Sequence, residues 1–110
     1  MPRTTQELYD LFQLEPMSSS SFRGRHPQTL MQRTYGGQVL AQSLMAAYGT
    51  VPSDRIAHSL TAYFLRSGST TEDIIYHVEN VRDGGSFSTR RVIAAQSKGP
   101  IFTMSCSLHV

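Results

Sequence analysis

Tryptophan is absent from this chain, and cysteine occurs once, as Cys106. A lone cysteine excludes an internal disulfide and a cysteine-rich metal site, and it fits a reducing compartment. No run approaches the roughly 18 apolar residues that cross a membrane, so no membrane partner is expected. Met1-Pro2-Arg3-Thr4-Thr5 has no apolar core and argues against a secretory leader. The expected compartment is the cytoplasm. Charge is sparse too. The chain carries a net charge of +2, and Arg90-Arg91 is its only adjacent basic pair, too thin a basic surface for a nucleic-acid partner. No two of the four histidines have metal-ligand spacing. A Gly-x-Ser-x-Gly elbow and a phosphate-binding glycine loop are both missing, so neither acyl-serine nor P-loop chemistry is indicated.

What the 110 residues do contain is enough for one domain, read here as running over 1–110. Its centre is the stretch Gly36 to Tyr48. Val39, Leu40, Ala41, Leu44, Met45, Ala46, Ala47 and Tyr48 leave little room for a solvent face, and only Gln38, Gln42 and Ser43 interrupt them. A helix with that pattern is expected to be buried all round. We place it at 36–50.

Before it, Thr4-Thr5-Gln6-Glu7 has capping-box spacing, and Leu8, Leu11, Phe12 and Leu14 follow with helical periodicity. An N-terminal helix and turn are expected over 1–16, with Glu15-Pro16 ending the helix. Phe22-Arg23-Gly24 suits a short strand. After the central helix, 55–110 reads as four antiparallel strands. In the first, Ile56, His58, Leu60, Ala62 and Phe64 share one face. Asp73 to Arg82 is the second, with Ile74, Tyr76 and Val78 together. Asp83-Gly84-Gly85 signals a hairpin with positive φ. Ser86 to Ser97 is the third. The fourth, Ile101 to Val110, sets Phe102, Met104, Cys106 and Leu108 on one side. Three links have hairpin length, so the sheet is antiparallel. The fold class is α+β: a single hotdog, an antiparallel sheet wrapped around a long buried helix. Its open edge and mixed outer face point to pairing with a second copy or a second domain.

Gly36-Gly37 enters the helix. Glycine allows close approach to the backbone, and the first turn presents unpaired N–H groups at the positive end of the dipole. Aimed at a carbonyl oxygen, these stabilise an oxyanion; the other reading is a tight turn under the sheet. His58, between Ile56 and Leu60, is either a base or hydrogen-bond donor near the helix start, or a core histidine bonded to a carbonyl. Ser86-Phe87-Ser88 opens the third strand. One of Arg90 and Arg91 faces each way, and such an arginine either binds a nucleotide phosphate or makes a solvated face or an ion pair.

Several stretches together resemble the N-terminal hotdog repeat of the acyl-CoA thioesterase II (TesB-like) family. They are Phe22-Arg23-Gly24, Tyr35-Gly36-Gly37-Gln38-Val39-Leu40-Ala41-Gln42, Val51-Pro52 with His58-Ser59-Leu60, Tyr63 to Gly68, and Val81 to Val92. The resemblance implies two tandem hotdogs that hydrolyse fatty acyl-CoA to free fatty acid and CoA, with neither a metal nor a bound cofactor. It also implies that the family's main catalytic set, an acidic residue, a Ser or Thr and a Gln, lies on the second repeat, beyond Val110. What it carries over is the first repeat's share. Gly37 (oxyanion, through its backbone) and His58 are the catalytic candidates. Gly36, Gln38, Ser86, Phe87 and Arg90 are the substrate-binding ones. The expected partners are an acyl-CoA substrate and a second hotdog repeat or homodimer partner. Two alternatives stand beside this. One is a non-catalytic repeat that dimerises or binds acyl-CoA, favoured by the lack of a carboxylate on the helix. The other is hydration or dehydration of an acyl thioester, which calls for an Asp beside His58.

Overall fold

The computed structural model of the chain describes residues 12–25 and 36–110. Residues 1–11 of the expected N-terminal helix lie outside them. The last part of that segment is not helical: Glu15–Pro16 forms a two-residue strand, β1. It pairs with β2, Ser21–Gly24, through Glu15 opposite Arg23. The central helix, α1, runs Gly36–Tyr48, so it stops two residues short of the expected end. Four strands follow: β3 (Ile56–Phe64), β4 (Ile74–Asp83), β5 (Phe87–Gln96) and β6 (Gly99–His109). All six strands form one antiparallel sheet in the order β1-β2-β4-β5-β6-β3, and α1 lies on its concave side. The hotdog arrangement is as expected. No helix among the described residues is long and apolar enough to cross a membrane.

Period-two alternation builds the inner face. Ile74, Tyr76 and Val78 of β4, Val92 and Ala94 of β5, and Phe102, Met104, Cys106 and Leu108 of β6 are all buried. Burying apolar surface at about 25 cal/mol per Å² is the main stabilising term for such a layer. The helix contradicts the expectation of burial all round. Its buried residues are Gln38, Val39, Gln42, Ser43, Ala46 and Ala47, whereas Met45 is 41% exposed. The three polar side chains thus face the sheet. The phase of the helix follows its small residues, because Ser43, Ala46 and Ala47 allow the close approach that Leu44 and Met45 would prevent.

β3 also departs from its expected faces. Ala57 pairs with Leu108, and Ser59 pairs with Ser107, so His58 is an extra residue in a β-bulge. The bulge shifts the alternation by one. Ala57, Leu60, Ala62 and Phe64 oppose the buried residues of β6, and His58 does not belong with them. The link after β3 differs as well. It has the length of a hairpin turn, but β3 sits beside β6 and β4 lies three strand positions away. Residues 65–73 therefore cross the end of the sheet, a span of roughly 14 Å at the usual strand spacing. The link from β4 to β5 is a hairpin as expected, closed by the Gly84 N–H on the Phe87 carbonyl at 2.7 Å. Neither of its glycines has positive φ. Among the described residues that conformation falls on Gly99, at φ 118°.

Tyr76 donates to Gln42 Oε1 at 2.6 Å, with both side chains fully buried. A Cβ on Gly24 would lie 2.5 Å from that oxygen and 2.9 Å from the Tyr76 ring. Neither group has room to withdraw. Gly24→Ala is expected to cost about 1–3 kcal/mol, read as a lower urea midpoint at unchanged m-value. An unchanged midpoint would show that β2 does not pack this closely.

Candidate functional site

At the start of α1 a cavity of about 270 Å³ opens between the helix, the ends of β3 and β6, and the crossing link. Gly36, Val39, Phe64, Ile101 and Phe102 give it an apolar wall, and residues 65–68 form its rim. The Phe64 ring leans on Phe102 with centroids 4.9 Å apart. A Cβ on Gly36 would come within 3.2 Å of the Phe64 ring, so glycine keeps helix and strand close here. The first turn of α1 holds no acidic residue, leaving the positive end of its dipole without a charge of its own to offset it. Gln38 is buried in the same turn, and its Nε2 has no hydrogen-bond partner.

The other end of α1 is locked by polar contacts. Arg90 is 1% exposed. Its Nε donates to Thr50 Oγ1 and its Nη2 to the Thr50 carbonyl and to Asp83 Oδ1. Its Nη1 donates to the carbonyls of Arg82 and Thr89. All five N–H groups of the guanidinium are therefore used within the chain. Ser88 also donates to Asp83, at 2.9 Å, and Arg55 donates to Ser88 Oγ at 3.0 Å. Asp83 is held below the ordinary aspartate range, first by the Arg90 hydrogen bond and then by that from Ser88.

His58 is exposed. Its Nε2 lies 2.9 Å from Ser107 Oγ, which puts it on the face away from the helix. Its ring meets His109 at 4.7 Å and Phe87 at 5.8 Å, edge-on in both cases.

The residues singled out in the sequence thus fall into three places. Gly36, Gly37 and Gln38 begin α1 beside the cavity. Phe87, with Ser86 next to it, meets His58 at the opposite end of the sheet, roughly 23 Å away along β5. Arg90 is an ion-pair partner inside the chain, and no N–H of it is left for an outside phosphate. Its parity carried the signal, since it alternates in step with the buried Val92 and Ala94. Sequence reading missed Phe64 and Arg66 as cavity residues, because a hairpin turn at 65–73 would have left that end of the sheet empty.

A helix start beside an apolar wall is suited to hold a carbonyl oxygen on backbone N–H groups, with an acyl chain alongside. Among the described residues no carboxylate lines this cavity. Among the described residues no cluster of three or more metal-ligating side chains occurs.

Comparison with known proteins bears on this site. The family model described as "Acyl-CoA thioesterase N-terminal domain" matches residues 25–109. Human acyl-coenzyme A thioesterase 8 is 43% identical over 96 residues, covering 87% of this chain and 30% of its own length. Acyl-CoA thioesterase 2 of Haemophilus influenzae is 42% identical over 103 residues, covering 94% of this chain and 36% of its own. A solved TesB protein from Mycobacterium avium subspecies paratuberculosis superposes with a TM-score of 0.91 at 29% identity, covering 97% of this chain and 43% of its own. The chain therefore spans about a third of the length of the curated relatives it matches.

The Asp83 carboxylate gives the helix lock a pH dependence. A carboxyl whose pKa is lowered by folding adds stability above its ordinary range, and this is lost as pH falls through the lowered value. Asp83→Asn is expected to melt below the wild-type chain at pH 7, with the gap closing below about pH 4. Thermal unfolding at pH 7 and pH 3 measures this. An equal gap at both would exclude the ion pair as its source.

Proposed function

Since the chain belongs to the acyl-CoA thioesterase family, whose N-terminal domain it matches over residues 25–109, we propose that it acts as one hotdog repeat of a thioesterase. The reaction is hydrolysis of fatty acyl-CoA to free fatty acid and CoA, within cytoplasmic fatty-acid metabolism and without a bound cofactor. The observation that carries this reading is the apolar cavity at the start of α1. The thioester carbonyl lies against the Gly36–Gly37 backbone, with Gln38 beside it and the acyl chain along Val39 and Phe64.

The working unit is a pair of hotdogs. Among the described residues β3 is hydrogen-bonded on one side only, to β6. Leu60, Tyr63 and Phe64 are exposed along it, at 42%, 65% and 60%. A second hotdog, as a second repeat or a second copy, joins antiparallel at this edge and covers them. In such a pair the start of one β3 lies beside the end of the other. His58 and Phe87 of one hotdog then lie near that end of its neighbour but on the outer face of the joined sheet, across it from the Gly36 cavity. A second reading, a non-catalytic repeat that binds acyl-CoA or dimerises, is favoured by one observation: α1 carries no Asp or Glu, so a base must come from outside it.

Release of CoA thiol from decanoyl-CoA by the purified chain tests the proposal. The expected result is hydrolysis whose specific rate rises with protein concentration as pairs form. Gly36→Val, which crowds the Phe64 ring and fills the cavity mouth, is expected to lower kcat/KM about tenfold or more. Binding of decanoyl-CoA without turnover would leave the non-catalytic reading. Undiminished turnover by Gly36→Val would remove the cavity as the site.

A further inference from the structure

An acyl-CoA carries phosphates as well as a thioester, and Arg90 has no donor left for them. A second pocket, of about 390 Å³, adjoins the cavity at the start of α1. The two share Arg66, Ser67, Gly68 and Ile101, so together they form one groove. Its inner end is walled by Val39, Phe64 and Phe102. Its outer end is polar, between the crossing link and the β5–β6 turn.

That outer end is built. Gln96 accepts from the Ser69 N–H at 2.9 Å and donates to the Ser69 carbonyl at 2.8 Å. Ser69 Oγ and Thr71 Oγ1 are 2.7 Å apart. Arg66 Nη1 donates to the Lys98 carbonyl at 3.1 Å, which joins the two sides of the pocket. Arg66 and Lys98 both line it, and neither enters an ion pair among the described residues. Its one carboxylate among the described residues, Glu72, accepts the Ser97 N–H at 3.0 Å and feels the charge of Lys98. The two cations outnumber it, and the net charge of the pocket is positive.

The groove runs from apolar to cationic in the same order as the ligand runs from acyl thioester to phosphates. We propose that Arg66 and Lys98 bind a phosphate of the nucleotide end of acyl-CoA in this outer pocket, with the pantetheine arm crossing Gly68. This rests on the thioesterase reading and deepens it. The two residues set the preference for a coenzyme A ester over a thioester without a nucleotide.

The test compares two probes by titration calorimetry. One is a non-hydrolysable decanoyl-CoA thioether. The other is the corresponding pantetheine thioether, which has no phosphate. For the wild-type chain the CoA probe should bind more tightly, and more so at low salt. The Arg66→Ala/Lys98→Ala variant should lose about tenfold in affinity for it and markedly less for the pantetheine probe, which Arg66 meets only at the rim of the inner cavity. Both side chains are exposed, so the melting temperature should hold, and Lys98→Arg should retain the affinity. Equal affinity of wild type and double variant for the CoA probe overturns the proposal while leaving the thioesterase reading intact. A wild-type chain that binds neither probe overturns both.

Discussion

The fold depends on one constraint. A single thirteen-residue helix is all that covers the concave side of the sheet among the described residues, so its place must be held from both ends. At the C-terminal end the tie is polar. The buried Arg90 guanidinium grips both the carbonyl and the hydroxyl of Thr50, just past the helix, and returns to Asp83 in the β4–β5 hairpin. The Tyr48 hydroxyl adds a bond to β3 by accepting the Ala57 N–H at 2.8 Å. At the N-terminal end the tie is steric, with Gly36 against the Phe64 ring. Between them, Gln42 and Tyr76 pin the middle of the helix to β4. Burying an arginine costs several kcal/mol unless every donor is matched, and here every donor is.

That asymmetry separates the work of the two ends. At the locked C-terminal end every donor of Arg90 is already taken within the chain. The N-terminal end has open volume, an unpartnered amide on Gln38 and the dipole of the helix. The crossing link adds Arg66 at the rim of the same opening. Among the described residues the cavity lacks a carboxylate and the outer edge of β3 lacks a neighbour. The second hotdog proposed at that edge would answer both, by covering the exposed Leu60 and Phe64 and bringing further residues to the cavity.

How much of this was legible varies with how local the cause is. β6 was plain, since Phe102, Met104, Cys106 and Leu108 alternate without interruption and all are buried. β4 was equally plain in Ile74, Tyr76 and Val78. β3 was not, because one bulge at His58 moved the alternation by a residue, and nothing in Ile56-Ala57-His58-Ser59 marks it. The link at 65–73 was misread for a related reason. Its length suits a hairpin, and only the insertion of β5 and β6 between its two strands makes it a crossing. Arg90 stood in step with buried neighbours, but an arginine invites an exposed reading, and the partners that allow its burial come from Thr50 and Asp83.

By itself the sequence determined the class of the fold, the family and the position of the helix start. Periodicity and glycine placement act within a few residues and survive in a linear reading. Only the tertiary structure decided where the candidate residues lie relative to one another. His58 went to the outer face, Arg90 to the locked end, and Arg66 to the groove. The physical reason is that strand order and bulges are settled by the packing of the whole sheet on α1. A one-residue shift or an exchange of neighbours there costs little locally, yet it moves a side chain from one face to the other.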